Sequence, residues 1–441
     1  MKPIQLEPPP LEVPAEVPEI PRGVYERRYE RLEQARIAAG FDVLLIYADR
    51  EHGANLAWLT GFDPRFEEAL WVQGPKSTLL VGNENLGYAP MKLNLEAEVA
   101  LFTPFSLPGQ DWGEPDLIAL LRKAGLARGL RVGVLGWKPL PRPEVPFYLV
   151  AALQEVCGSE PENANDLLMH PETGLRATLE PEQIRLAEYG SSLTSAAILN
   201  WLRGLREGMT EREAAGNLVS YGLELTCHPM VNFGPTIPSG LGSPRNERLV
   251  RGEYAQVALG VLGGLTCRAG RLVRRNDPDA DGYLELVTNY LEVVRAWYAA
   301  LRVGVSTGEV FAAAQKAKAE TWDLALNPGH LIHLEEWLHS PFAEGSRVAL
   351  RSGYAIQQDI IPVPRNSVAV INMEDGIVLA DGDLRGKLGR LDPALMHRCQ
   401  LRREWMERLG YALSEDVLPL SNLAGAFFPF LLEGRYVAAL E

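Results

Sequence analysis

Hydrophobic and polar positions change their period several times along the chain, and the changes mark out helices and strands in alternation. YERRYERLEQARIAAG, from Tyr25, spaces its apolar residues along one helical face and stops at Gly40. FDVLLIYA follows as an unbroken apolar run of strand length, with further strands expected near Leu70 to Val72 and Thr78 to Val81. The intervening ADREHGANLAWLTGFDPRFEEALWV interrupts polar residues with Trp58, Phe62 and Phe66. It reads either as the border of a site or as a loop organised by its own hydrogen bonds. A weakly patterned stretch rich in Pro, Asn, Glu and Gly, from about Gly158 to Arg176, predicts a boundary. The division expected is an extended proline-rich arm over residues 1–22, a small α/β domain over 23–170 and a second domain over 171–441.

The second domain is built twice. Pro181 at a first helical position, flanked by Glu180 and Glu182, opens a long helix toward Arg206. Its end carries Trp201, Leu205, Arg206, Gly208, Thr210 and Glu213, and the same spacing returns in Trp297, Leu301, Arg302, Gly304, Ser306 and Glu309. Each copy reads as a helix, a glycine stop and a second helix opened by a capping box, so an internally duplicated α/β (α+β) domain is predicted. Between the copies, RGEYAQVALGVLGGLTCRAGRLV places Gly263-Gly264 as a hairpin turn. That turn pairs Gly260 with Cys267, Ala258 with Ala269 and Gln256 with Arg271 on one side of the ribbon, which then carries no carboxylate. In the second copy, alternation sets Ala355, Gln357 and Asp359 on one face of a strand and Asn372 and Glu374 on one face of the next, with Ile356, Ile360, Ile371 and Met373 opposite. A turn near Asn366-Ser367 brings Asp359 close to Glu374. Two inward carboxylates are costly unless a metal, a proton or a cation stands between them.

Composition narrows the partners. The 441 residues are 46% hydrophobic and 23% charged, ordinary for a globular chain, and the net charge of -14 argues against nucleic acid or anionic membrane as a partner. No apolar run is long enough to cross a bilayer. The opening MKPIQLEPPPLEVPAEVPEIP lacks the pattern of a secretory signal and reads as an arm that can lie against a neighbouring subunit. Four separated cysteines without zinc spacing point to free thiols and a cytoplasmic location. Three of the seven histidines fall in GHLIHLEEWLHSPF beside two glutamates. Such a cluster can supply metal ligands, acid/base catalysts or a polar rim, and equally an ordinary turn.

These residues resemble the creatinase, aminopeptidase P and prolidase family, whose pita-bread fold the duplicated domain is expected to share. LTGFDPRFEEALWV is similar to a stretch of the family's N-terminal domain. The resemblance implies a dinuclear metal site of two aspartates, one histidine and two glutamates. His330 matches the histidine, Asp359 stands where the first glutamate is expected, Glu374 in MEDGIVLA matches the second, and Ala258 and Ala269 hold the aspartate positions. Alanine cannot bind a metal, so no normal dinuclear site and no cofactor is expected, a single weakly bound divalent ion apart. Creatinase is the family's precedent for metal-free hydrolysis, but its base falls near Leu241 here and its hairpin glutamate at Arg271. His228, in TCHPMVNFGP, is the nearest replacement base. Arg271 reads either as a counter-ion to Asp359 and Glu374 or as a surface arginine at a strand end. Cys267 reads as a small buried hydrophobe or a nucleophile. His333 replaces a family glycine, and His339 lies further from His330 than the family's second histidine.

The resulting expectation is a metal-free hydrolase of a C–N bond in a small amidino or N-acyl compound. In it His330, His228 or His339 moves the proton, Asp359 and Glu374 hold a cationic group, and Arg271, or Arg268 after a register slip, holds a carboxylate. The alternatives are an inactive pita-bread protein that binds a small molecule or short peptide, and a metal-dependent Xaa-Pro peptidase. By family likeness a homodimer is expected.

Overall fold

The computed structural model describes residues 2–5, 12–74, 76–109, 116–237, 242–279, 282–365 and 367–440. The chain divides into two compact units, one of Ile20–Ala177 and one of Met1–Glu19 with Thr178–Glu441. Strand β1 (Lys2–Gln5) belongs to the second of these, where it pairs with the last strand of the same chain. The expected arm is thus engaged by its own chain at its first residues, and residues 6–11 lie outside those described.

The smaller unit is a six-stranded sheet in the order β5-β4-β3-β2-β6-β7, formed by β2 (Val43–Ala48), β3 (Ala69–Gln73), β4 (Thr78–Val81), β5 (Glu98–Leu101), β6 (Val132–Leu135) and β7 (Glu162–Asn163). β2 is buried on both faces, which is why VLLIYA shows no alternation. The first helix, Arg22–Ala38, turns Val24, Tyr25, Arg28 and Leu32 inward, and Gly40 beyond it has the positive φ (75°) of a helix stop. Asp49 accepts from the amides of Glu51 and His52 and from the His52 ring, so the loop organises itself by hydrogen bonds. A short helix, Ala54–Thr60, lies within the stretch read as loop, burying Trp58.

The larger unit is organised on a seven-stranded sheet. Its main path runs β12-β13-β15-β10-β9-β8, from β8 (Leu225–Gly234), β9 (Tyr254–Val261), β10 (Gly264–Arg271), β12 (His330–Leu331), β13 (Ala355–Asp359) and β15 (Asn372–Leu379). A side ribbon pairs β11 (Trp322–Leu324) with β14 (Pro362–Pro364), while β16 (Val417–Pro419) pairs with β15 and β17 (Tyr436–Ala439) with β1.

The duplication is present in detail. Thr210 with Glu213 and Ser306 with Glu309 both form complete capping boxes. Gly208 and Gly304 both have positive φ, and their amides donate to Leu249 and Leu350 carbonyls at 3.0 and 2.8 Å.

One register differs from expectation. The β9–β10 turn is Leu262-Gly263, both with positive φ (51° and 86°), as a two-residue hairpin of mirror-image type requires. Pairing therefore shifts by two residues: Cys267 stands opposite Ala258, Ala269 opposite Gln256 and Arg271 opposite Tyr254. A shift of two preserves the face, so these side chains still share one side. Gly264, the first residue of β10, packs closely against the helix behind it. A Cβ there would lie 2.1 Å from the Ser191 amide, in the helix Pro181–Gly204 packed across the hairpin.

Candidate functional site

Three strands of the second half of the larger unit supply the site. Asp359 on β13 stands directly opposite Glu374 on β15, as alternation requires. The expected turn residue Asn366 lies outside the described residues. His330 on β12 faces Gln357, two residues before Asp359 on the same face. On the other side of β15, Cys267 is opposite Glu374 and Ala269 opposite Asn372. Ligand atoms of His330, Asp359 and Glu374 all lie within 4.8 Å of one another, and all three residues are buried.

The hydrogen-bond geometry fixes protons. His330 Nδ1 lies 3.2 Å from the Leu331 carbonyl, which can only accept, so Nδ1 carries the hydrogen. Burial holds the imidazole below its usual value, with Asp359 opposing. Neutral and protonated at Nδ1, the ring presents Nε2 as an acceptor. Its neighbour at 3.4 Å is Glu374 Oε1, and a protonated carboxyl there donates to it.

That role fits Glu374, whose carboxyl is pushed well above the carboxylate range by burial and by the charges of Glu336 and Asp375, against Arg268. Asp359 is pushed well up by burial and by Glu374, against His330 and Asn372. The Asn372 amide donates to Asp359 Oδ1 at 3.5 Å and reaches Cys267 Sγ at 3.6 Å. The Trp337 indole stacks on the His330 ring, with centroids 4.1 Å apart.

Other expected residues fall elsewhere. His228 is exposed at an irregularity of β8, between Cys227 and Met230, and His339 is half-buried, its carbonyl accepting from Leu331. Neither stands in the group of three.

Arg271 shares the hairpin face but closes strand β10, where its Nε donates to the Gly252 carbonyl at 3.0 Å and its guanidinium lies over the Tyr254 ring.

Arg268 is corrected outright as a substrate-gripping residue. It points to the opposite face, is 1% exposed, and binds both oxygens of Asp375 (2.8 and 3.1 Å) together with carbonyls of Cys267, Leu423 and Ala426. Cys267 packs in the apolar core, and burial raises its thiol, so it behaves as the small hydrophobe of the two readings.

Residue Leu241, at the position of creatinase's base, lies outside those described. Sequence reasoning placed Asn372 on the face of Glu374 without giving it a role, and did not single out Glu336 or Trp337. Alternation signalled the first, and the histidine-rich stretch itself contains the other two.

An imidazole and two carboxylates converging from β12, β13 and β15 fit a single divalent ion. Along the neighbouring strands Cys267 stands opposite both Glu374 and Ala258, and Ala269 opposite Asn372 and Gln256.

Residues 185–378 match the model of Metallopeptidase family M24. Among solved structures, the chain is similar to the prolidase from Pyrococcus horikoshii OT3 (17% identity, 80% of this chain and 95% of that one, TM-score 0.63). It is similar also to an Xaa-Pro dipeptidase from Bacillus anthracis (16%, 81% and 96%, 0.62). A third is the X-Pro aminopeptidase from Thermotoga maritima MSB8 (18%, 80% and 95%, 0.62). No curated protein matches. The matched segment lies within the duplicated unit, and over most of its length the chain shares the pita-bread fold of these prolidases and aminopeptidases.

Proposed function

We propose that the larger unit hydrolyses a C–N bond in a small amidino or N-acyl compound without a dinuclear metal centre. One observation carries the reading: a buried acid pair and a neutral imidazole lie within 4.8 Å, facing a hairpin that bears alanine at positions 258 and 269. A planar amidinium offers parallel N–H groups that two adjacent carboxylates accept. Its charge favours ionised Glu374, and Nε2 of His330 is then released from the hydrogen bond it accepts. That nitrogen takes a proton from water as the oxygen adds to the carbon, and returns it to the leaving nitrogen as the C–N bond breaks. A single divalent ion held by His330, Asp359 and Glu374 would add Lewis-acid polarisation.

A second reading, binding without turnover, is favoured by the placement of His228 and His339 outside the group. Metal analysis followed by a screen of guanidino compounds, N-acyl acids and dipeptides, with and without manganese, separates the readings. The expected result is turnover of a guanidino or N-acyl compound that survives chelation. Binding alone selects the second reading. Two tightly held divalent ions per chain, or manganese-dependent release of proline, would overturn both.

A further inference from the structure

Beside the acid pair, a cavity of about 240 Å³ opens between Ile237, Ile361, Pro362 and Val370, with Gln256 and Asn372 forming the wall toward the site. None of its lining residues is charged. The link to the acids runs through Asn372, which lines the cavity, alternates with Glu374 on β15 and donates its amide to Asp359 Oδ1 at 3.5 Å. Two residues along a strand advance about 7 Å, so the cavity lies one row of side chains from the carboxylates. A dry apolar cavity of about 150 Å³ already admits benzene, so this one has room for a ring and a short link.

The wall between them carries an unmet acceptor. Asn372 is only 6% exposed, its amide nitrogen is turned to Asp359 and Cys267, and among the described residues nothing donates to its Oδ1. A ligand that spans the wall with an N–H satisfies that oxygen.

We infer that the ligand of this site is a mono-substituted guanidine or amidine, its cationic head on Asp359 and Glu374 and an uncharged aromatic or branched aliphatic substituent in the cavity. The inference rests on the reading of the acid pair as a cation site and adds the second half of the molecule recognised. The substituted nitrogen, between head and tail, donates to Asn372.

Calorimetric titration of the full chain with methylguanidine, 2-phenylethylguanidine and 2-phenylethylurea, in the presence of a chelator, tests both parts separately. The phenylethyl compound is expected to bind at least about tenfold more tightly than methylguanidine, the effect of removing roughly 60 Å² of apolar surface from water. The neutral urea is expected not to bind, and Val370→Ser to bring the ratio of the two guanidines toward one. Equal affinity of the two guanidines overturns the cavity assignment and leaves the cation site standing. If neither guanidine binds, or if the urea equals its guanidine, the cation site fails and the inference with it.

Discussion

Glu374 and Asp375 are neighbours on one strand, both buried, and they live in opposite chemical circumstances. Asp375 faces the side of the sheet where Arg268 grips both its oxygens and the Ser421 hydroxyl donates at 2.6 Å. Glu374 faces the other side, where its neighbours are a neutral histidine at 3.4 Å and a second carboxylate directly across the ladder. Burial raises both carboxyls, but only Glu374 is driven well beyond the ordinary range. Burial therefore does not distinguish a structural acid from a functional one. The completeness of its partners does, because a matched buried ion pair is fold architecture and an unmatched acid awaits a counterpart.

The comparison breaks most visibly at its satisfied end. Arg268→Leu leaves Asp375 buried without its cation and is expected to cost about 3–5 kcal/mol, read as a fall in the urea midpoint. A loss under about 1 kcal/mol would show that Asp375 finds another partner or takes a proton at little cost.

At the unsatisfied end the expected sign is reversed. Asp359 and Glu374 have folded values above their unfolded ones near pH 4, so each favours the folded state while protonated. That contribution is complete below about pH 4 and is lost as pH rises through the raised values. Urea midpoints with chelator at pH 5 and pH 8 should fall for the natural chain and fall less for the D359N/E374Q variant. Parallel behaviour of the two proteins would mark the acids as ordinary.

The smallest effect concerns the imidazole. Trp337→Ala removes the stacked indole at a cost on the order of 1 kcal/mol, and is expected to weaken guanidine binding without changing its pH dependence.

Much of this site was legible in the residues. Strict alternation along AIQQD and NMEDGIVL placed Asp359 and Glu374 face to face, since the pleat leaves no other option once the hairpin is paired. The duplicated WxxxLRxGx(T/S)xxE spacing gave both capping boxes, whose bonds are local. What escaped depends on contacts distant in sequence. The turn is Leu262-Gly263 rather than Gly263-Gly264, and the glycine at 264 answers instead to the Ser191 backbone packed against it, which no local pattern records. Arg271 had the right face, but its long side chain finds a carbonyl at the strand end, and face alone does not fix where a flexible guanidinium goes. Trp337 lies in the stretch that drew attention for its histidines, yet stacking across a turn has no signature in spacing.

The seam where β10 meets β15 joins strands from the two halves of the duplication. Both acids of the pair come from the later half, while the strand that shields one flank of Glu374 comes from the earlier, so neither repeat can desolvate them alone. Closing so long a loop is slow. During synthesis, Asp359 and Glu374 emerge from the ribosome as ordinary hydrated carboxylates, and they acquire their altered chemistry only when the repeats zip together. Maturation of the pocket and pairing of the two repeats are thus coupled.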